Sequence, residues 1–131
     1  MNPKDYRYTK DHEWIFVESG NTGKMGLADY AQSHLGDLVY FDLPPVGTKV
    51  AQGEKLGEVE SVKAISDIFS PATGEVIEVN QDAIDNPKLV NEEPYGKGWL
   101  VRINISDLNE LGNLMGIDAY EKYVAELTAE N

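Results

Sequence analysis

The chain has 131 residues, with 11 basic against 23 acidic side chains for a formal charge of −12, and it has no cysteine. That length is most simply one domain with its own core, and so acidic a surface argues against a nucleic-acid backbone as partner and for docking onto basic patches of other proteins. The missing thiols exclude disulfides, thiolate metal sites and a cysteine nucleophile, so any redox sulfur must arrive on a cofactor.

In chain order, Met1 to Asp5 lacks the basic and apolar segments of a secretory signal and is not an Arg-rich transit peptide. No apolar run reaches membrane-spanning length. The expectation is the cytoplasm of a prokaryote, ahead of a mitochondrial matrix. Glu13 to Val17 predicts a strand, and Ser19 to Gly23 a turn into Lys24 to Leu27, so the pair reads as a hairpin. Ala28 to Leu35 predicts a short helix, capped by Asp29, with Ala31 and Leu35 on one face and Gly36 closing it. Asp37 to Leu43 is the next strand, stopped by Pro44-Pro45-Val46-Gly47. Lys49-Val50 is a brief extended piece, and Ala51 to Glu54 a turn.

From Gly57 to Val79 the sequence alternates apolar and polar residues with β-branched side chains, predicting three short strands. The breaks fall at Val62-Lys63-Ala64 and at Ser70 to Gly74. Lys63 therefore stands at a hairpin tip. Val59 and Val62 before it, and Ile65 and Ile68 after it, are expected to anchor the hairpin in the core while the lysine is held out in solvent. A lysine in a turn is ordinarily just a solvated residue, so Val-Lys-Ala alone decides nothing.

Gly36 to Val39 leading to Gly47 to Val50 echoes Gly74 to Ile77 leading to Asn86 to Val90, with the lysine hairpin between them. A generic strand-turn-strand pattern explains so short an echo as well as duplication does, and either favours a β core. Asn80 to Asn86 predicts a helical turn ended by Pro87, Leu89 to Asn91 an extended piece, Pro94 to Gly98 a loop, and Trp99 to Ile103 a strong strand. Ser106 is expected to cap a short helix through Leu111. Asp118 is expected to cap another, with Tyr120, Tyr123, Val124 and Leu127 on the face that packs against the β core. No flexible linker divides the chain.

Glu60-Ser61-Val62-Lys63-Ala64, followed by Ser66-Asp67-Ile68-Phe69-Ser70-Pro71 and then Gly74-Glu75-Val76, resembles the lipoyl-attachment hairpin of the glycine cleavage system H protein family. His12-Glu13-Trp14, Ala31-Gln32 with Leu35-Gly36-Asp37, Leu43-Pro44 with Val46-Gly47, Leu89-Val90-Asn91, and Pro94-Tyr95 with Gly98-Trp99 extend the resemblance over nearly the whole chain. Gly26-Leu27-Ala28 departs from it, where the family usually has Gly-Ile-Thr. The resemblance implies a mainly β fold, a barrel-sandwich hybrid of the lipoyl/biotinyl type, with short flanking helices and a C-terminal helical segment over about 106–128 in one domain of 1–131. It implies a carrier and not an enzyme, with lipoate in amide linkage on Lys63.

The implied cycle moves the aminomethyl group of glycine from a pyridoxal-phosphate glycine decarboxylase to a tetrahydrofolate-dependent aminomethyltransferase, and then visits dihydrolipoyl dehydrogenase for reoxidation. A lipoyl-attaching enzyme is a fourth partner. Lysine suits the task because its amine is mostly an ammonium in water, and acylation removes a charge that is costly to bring into a partner's interior. A shuttle that meets several partners is most simply a monomer. Around the arm, Glu60 is a candidate for recognition by the attaching enzyme. Glu13 or Asp67 could pair with the ammonium of a loaded arm, and His34 could neighbour it. Asp67 and Glu60 also read as ordinary hairpin charges, and His34 as a helix-surface residue. His12 and His34 lack metal-ligand spacing, so no metal is expected.

Three alternatives use or ignore the same lysine. A biotin carrier places it between methionines, whereas Val62 and Ala64 stand here. A lipoyl relay to 2-oxoacid dehydrogenases needs the same modification. A purely structural all-β module would leave Lys63 unmodified.

Overall fold

The computed structural model describes residues 5–129, so the expectation for Met1 to Lys4 lies outside the described residues. Among these residues, nine strands form two antiparallel sheets. The strands are β1 Arg7–Tyr8, β2 Glu13–Ser19, β3 Thr22–Leu27, β4 Leu38–Asp42, β5 Lys49–Val50, β6 Lys55–Ser61, β7 Ile65–Phe69, β8 Gly74–Val79 and β9 Val101–Ile105. The larger sheet has the order β1-β2-β3-β9-β8-β5, and the smaller the order β4-β6-β7. The helices are α1 Asp29–Leu35, α2 Gln81–Asp85, α3 Lys88–Glu92 and α4 Ile117–Ala129, with a 3-10 turn at Leu108–Asn113.

The core lies between the sheets and follows from strand alternation, with irregularities at Leu38/Tyr40 in β4 and Lys55/Gly57 in β6 that reset the parity and let Leu38 and Leu56 face inward with Phe41 and Val59. Ile15, Met25, Val76, Val101, Ile103 and Ile105 come from the larger sheet; Leu38, Phe41, Leu56, Val59 and Ile68 come from the smaller. Each large side chain so buried contributes about 1.5–3 kcal/mol. Successive residues point to opposite faces, so Trp14, next to Ile15, turns to the other side of the larger sheet. There α4 covers it, and Tyr8, Trp14, Ala28 and Tyr120 form a second apolar cluster. Tyr120 is fully buried and stacks on Tyr8 with ring centroids 4.4 Å apart. The helical face expected to pack on the β core does so through Tyr120, Tyr123 and Val124.

Several local expectations give way to tertiary context. Leu89 to Asn91 is helical, within α3, because Val90 is buried against the α1 and β4 side of the core and the run is too short for alternation to settle its state. The echo between the two halves thereby fails, since the first copy continues into strand β5 and the second into helices. Asp29 is the first helical residue and caps nothing; Ala28 holds the N-cap position, and the Asp29 carboxylate instead accepts a hydrogen bond from Gln32 Nε2 at 2.8 Å. Asp107, not Ser106, caps the 3-10 turn by accepting from the Asn109 N–H.

The lysine hairpin is β6–β7, with Glu60 opposite Ile65 and Val59 opposite Ser66. Val59 and Ile68 are buried as anchors, at 1% and 0% exposure. Val62 and Ile65 are not, at 66% and 65% exposure, which corrects the expectation that all four anchor the hairpin. The reason is parity: the β6–β7 ladder is regular from Gly57 to the tip, Val59 and Val62 are an odd number of residues apart, as are Ile65 and Ile68, and with no irregularity to reset the alternation one of each pair faces outward. Among the described residues, no helix is long and apolar enough to cross a membrane.

Candidate functional site

The turn between β6 and β7 is built by Ser61. Its backbone N–H donates to the Ala64 carbonyl at 2.8 Å, and its hydroxyl oxygen accepts from the N–H groups of Lys63 and Ala64 at 3.1 and 3.2 Å. A serine whose side chain satisfies the next residues' donors makes a tight turn without help from solvent. Ser61 is itself buried, so the turn is fixed while Lys63 is exposed.

The corner after α1 backs this turn. Val62 N–H donates to the Asp37 carbonyl at 3.0 Å, and Lys63 Nζ donates to the His34 carbonyl at 3.2 Å. The helix C-terminus is the negative end of its dipole, a favourable place for an ammonium. Between these contacts lies Gly36, at φ +82°, where a Cβ would stand 3.2 Å from Lys63 Cε. Glycine is thus needed there both for the left-handed backbone and for room. Asn91, from α3, locks the corner: its Oδ1 accepts from Leu38 N–H at 3.0 Å, and its Nδ2 donates to the Gly36 carbonyl at 2.9 Å and to Gln32 Oε1 at 3.0 Å.

The other sequence candidates fall in three places. His34 touches Lys63 only through its backbone; its imidazole stacks on Tyr30 at 5.6 Å. Glu60 is exposed on the outer face of the smaller sheet, flanked across the strands by Tyr40 and Ile65. Asp67 lies on the same face and pairs with Lys55 Nζ at 3.3 Å. It also lines an open groove of about 550 Å³ with Lys10, Asp11, His12, Ile65, Ser66 and Phe69.

Glu13 is almost fully buried and lines an adjoining cavity of about 290 Å³, which shares Lys10, Asp11 and Phe69 with that groove. Its Oε1 accepts from the Thr9 hydroxyl at 2.5 Å, and its Oε2 accepts from the Phe69 N–H at 3.1 Å. Burial pushes its carboxyl up to about 7, against the lowering effect of those two bonds. At neutral pH it is therefore poised between acid and carboxylate. His12 beside it has left-handed backbone, φ +68°, and its Nδ1 lies 2.9 Å from the Tyr120 hydroxyl. Burial lowers the pKa of this imidazole below the ordinary histidine value.

The arrangement offers one exposed amine on a fixed turn, and a polar groove that starts at Ile65, two residues from it, and leads to a buried carboxyl. An amine that is held in place yet open to solvent is chemically suited to acylation by a partner. Among the described residues no three His, Asp or Glu side chains are grouped to hold a metal ion. Sequence reasoning named Lys63, Glu13 and Asp67 as candidates but not the contacts that Ser61, Gly36 and Asn91 make at the lysine turn. A serine two residues before the turn lysine was the readable signal for the first of these.

A family model described as glycine cleavage H-protein matches residues 6–127. The chain is 49% identical over 124 residues to the glycine cleavage system H protein of Carboxydothermus hydrogenoformans, covering 95% of both chains. It is 47% identical over 128 residues to the mitochondrial glycine cleavage system H protein 2 of Arabidopsis thaliana, covering 98% of this chain and 81% of that one. The crystal structure of a glycine cleavage system H protein from Mycobacterium marinum superposes with a TM-score of 0.83 at 37% identity, over 97% of this chain and 99% of the other.

Proposed function

Because this chain belongs to the glycine cleavage H-protein family, we propose that it carries the aminomethyl group of glycine among the glycine cleavage enzymes on lipoate joined to Lys63. The observation that carries the proposal is the setting of that lysine: exposed, on a turn fixed by Ser61, with its stem over Gly36. When bound, lipoate supplies a dithiolane whose disulfide accepts a carbon fragment and two electrons. Ser61, Asp37 and Asn91 fix the root of the arm, which limits the volume its far end must search. Amide formation replaces the ammonium beside the His34 carbonyl by a neutral N–H, so that contact loses its charge and is weakened.

Glu13 and Asp67 are the groups in this reading that receive a positively charged arm end, through the groove and cavity that they line. Near neutral pH the Glu13 carboxyl can give up its proton as a cation approaches, so the charge in the cavity is matched only when the cation is present. Glu60, beside the lysine on the exposed face, is placed for recognition by the attaching enzyme. The proposed partners are a pyridoxal-phosphate glycine decarboxylase, a tetrahydrofolate-dependent aminomethyltransferase and dihydrolipoyl dehydrogenase. An acidic carrier suits serial visits, because electrostatic docking speeds encounter without demanding tight binding.

The test is the mass of the intact protein and of its peptides after incubation with lipoate, ATP and a lipoyl ligase. The expected result is one lipoyl increment, confined to the peptide containing Lys63. An unmodified chain, or an increment elsewhere, overturns the assignment. Reconstitution with glycine decarboxylase then separates glycine cleavage from a lipoyl relay.

A further inference from the structure

The outer face of the smaller sheet has an order that its fold does not require. The strand registers place Tyr40, Glu60 and Ile65 in one row across β4, β6 and β7, and Asp42, Glu58 and Asp67 in the next row away from the tip. Val39, at the irregularity in β4, and Val62, in the turn, extend the first row around Lys63. Val39, Tyr40, Val62 and Ile65 are exposed by 48%, 56%, 66% and 65%, more than half of the large apolar residues that the described chain leaves in solvent. Together they make a patch on the order of a few hundred Å², the size that marks an interaction site on a monomer. Behind them the second row is acidic. Lys55 spans Glu58 and Asp67 at 2.7 and 3.3 Å, whereas no cation lies within ion-pair distance of Asp42 or Glu60 among the described residues.

We infer that this apolar collar is the docking surface for the enzyme that acylates Lys63, whose facing surface is an apolar seat bordered by basic residues. The inference rests on the reading of Lys63 as the acylated residue. Reach selects the occupant. In attachment, the Lys63 nitrogen, as the free amine, attacks the carbonyl carbon of lipoyl adenylate. The new C–N amide bond forms as the C–O bond to AMP breaks, and the amine's proton passes to solvent. That nitrogen lies only about 6 Å from its own Cα, so the enzyme holding the adenylate must close over the neighbouring side chains, desolvating Val62 and Tyr40. Enzymes that act on the far end of the finished arm are a whole acyl chain farther off and need not touch the collar. The charge pattern fits the same occupant: Asp42 behind the apolar row and Glu60 within it, between Tyr40 and Ile65, have no ion-pair partner among the described residues and favour basic groups on the facing surface, which orient the encounter.

The test uses the double variant Tyr40→Ser with Val62→Ser in the full chain. Both side chains are exposed, and neither lines the groove beside the hairpin. The readout is the initial rate of mass gain with lipoyl adenylate and a lipoyl-transferring enzyme, over a range of carrier concentrations. The expected result is a rise in KM of about tenfold or more, as for loss of central apolar contacts. The control variant Val46→Ser with Ile77→Ser removes exposed apolar residues away from the tip and is expected to keep the wild-type rate. Both proteins, fully lipoylated by prolonged incubation, are then compared as substrates of dihydrolipoyl dehydrogenase, where the collar variant is expected to match wild type within twofold. An unchanged KM for attachment overturns the inference, as does an equal loss in the control variant. Loss in the dehydrogenase assay as well overturns the assignment to the attaching enzyme alone. If wild-type protein gains no mass at Lys63, the reading of that lysine fails first, which is a different result from a modified wild type and an equally modified variant.

Discussion

Replacing Glu13 by glutamine keeps the shape of a buried side chain and removes its titration. In the folded protein this carboxyl is pushed up to about 7 by burial, against an ordinary value of 4.5. A carboxyl raised on folding binds its proton more tightly in the native state, so its contribution is fully present below the unfolded value and is lost as pH rises through the folded one. The gap corresponds to roughly 3 kcal/mol, which for a chain of this length is a difference of roughly 10 °C in Tm. His12 acts in the opposite sense, because its lowered pKa withdraws stability as pH falls below the ordinary histidine range; comparing the two proteins at each pH removes that common contribution. Glutamine can accept from the Phe69 N–H through its oxygen, whereas the Thr9 hydroxyl oxygen already accepts from the Asp11 and Glu13 N–H groups, so losing its bond to Oε1 lowers the variant's stability by an amount independent of pH. The assay is urea unfolding of wild type and Glu13→Gln from about pH 4 to about pH 8. The stability of the variant relative to wild type is expected to rise across that range by roughly 3 kcal/mol. Parallel curves would refute the reasoning, since they would mean that Glu13 titrates alike in the folded and unfolded chain.

Three further outcomes are expected. Lys63→Arg should unfold within about 0.5 kcal/mol of wild type by denaturant titration, because an exposed charge is kept, and should show no lipoyl mass gain and no carrier activity. Gly74→Ala should destabilise by about 3 kcal/mol or more, also read by denaturant titration, because the new Cβ would overlap the Asn104 carbonyl oxygen and stand 2.8 Å from Ile103 Cγ2. Tyr120→Phe should cost about 1 kcal/mol in the same assay, since it removes the hydroxyl 2.9 Å from His12 Nδ1 and leaves the stacking on Tyr8 in place; a loss confined to packing would leave stability unchanged.

Much of the fold is legible where local chemistry and tertiary context agree. The β2–β3 and β6–β7 hairpins are written in alternation and turn residues, and the end of α1 in Gly36, whose φ of +82° is the one a glycine serves best. The failures are equally physical. Leu89-Val90-Asn91 is a short apolar run with no periodicity of its own, and its helix is selected by the burial of Val90 and by the bonds of Asn91. Val62 and Ile65 mislead because apolarity suggests burial, although their parity with Val59 and Ile68 already points them outward. At the site, Lys63 is readable because the turn residues frame it. The groove leading to Glu13 is not, because it joins the segment around Lys10 and Asp11 to strand β7, more than fifty residues away. His34 is reached by sequence for its imidazole, whereas the structure uses its carbonyl, a group that every residue possesses.

The three hydrogen bonds of Asn91 have a consequence for any attempt to work with the lysine loop in isolation. They tie the end of α1 and the start of β4 to a helix lying beyond the loop in the chain, and it is that junction on which Val62 and the lysine stem rest. A synthetic peptide spanning 55–69 would contain every side chain of the hairpin but nothing to hold its crest upright, and a lone two-stranded ribbon is marginal in water. An enzyme that modifies the intact carrier but ignores such a peptide would be responding to posture as well as to spelling.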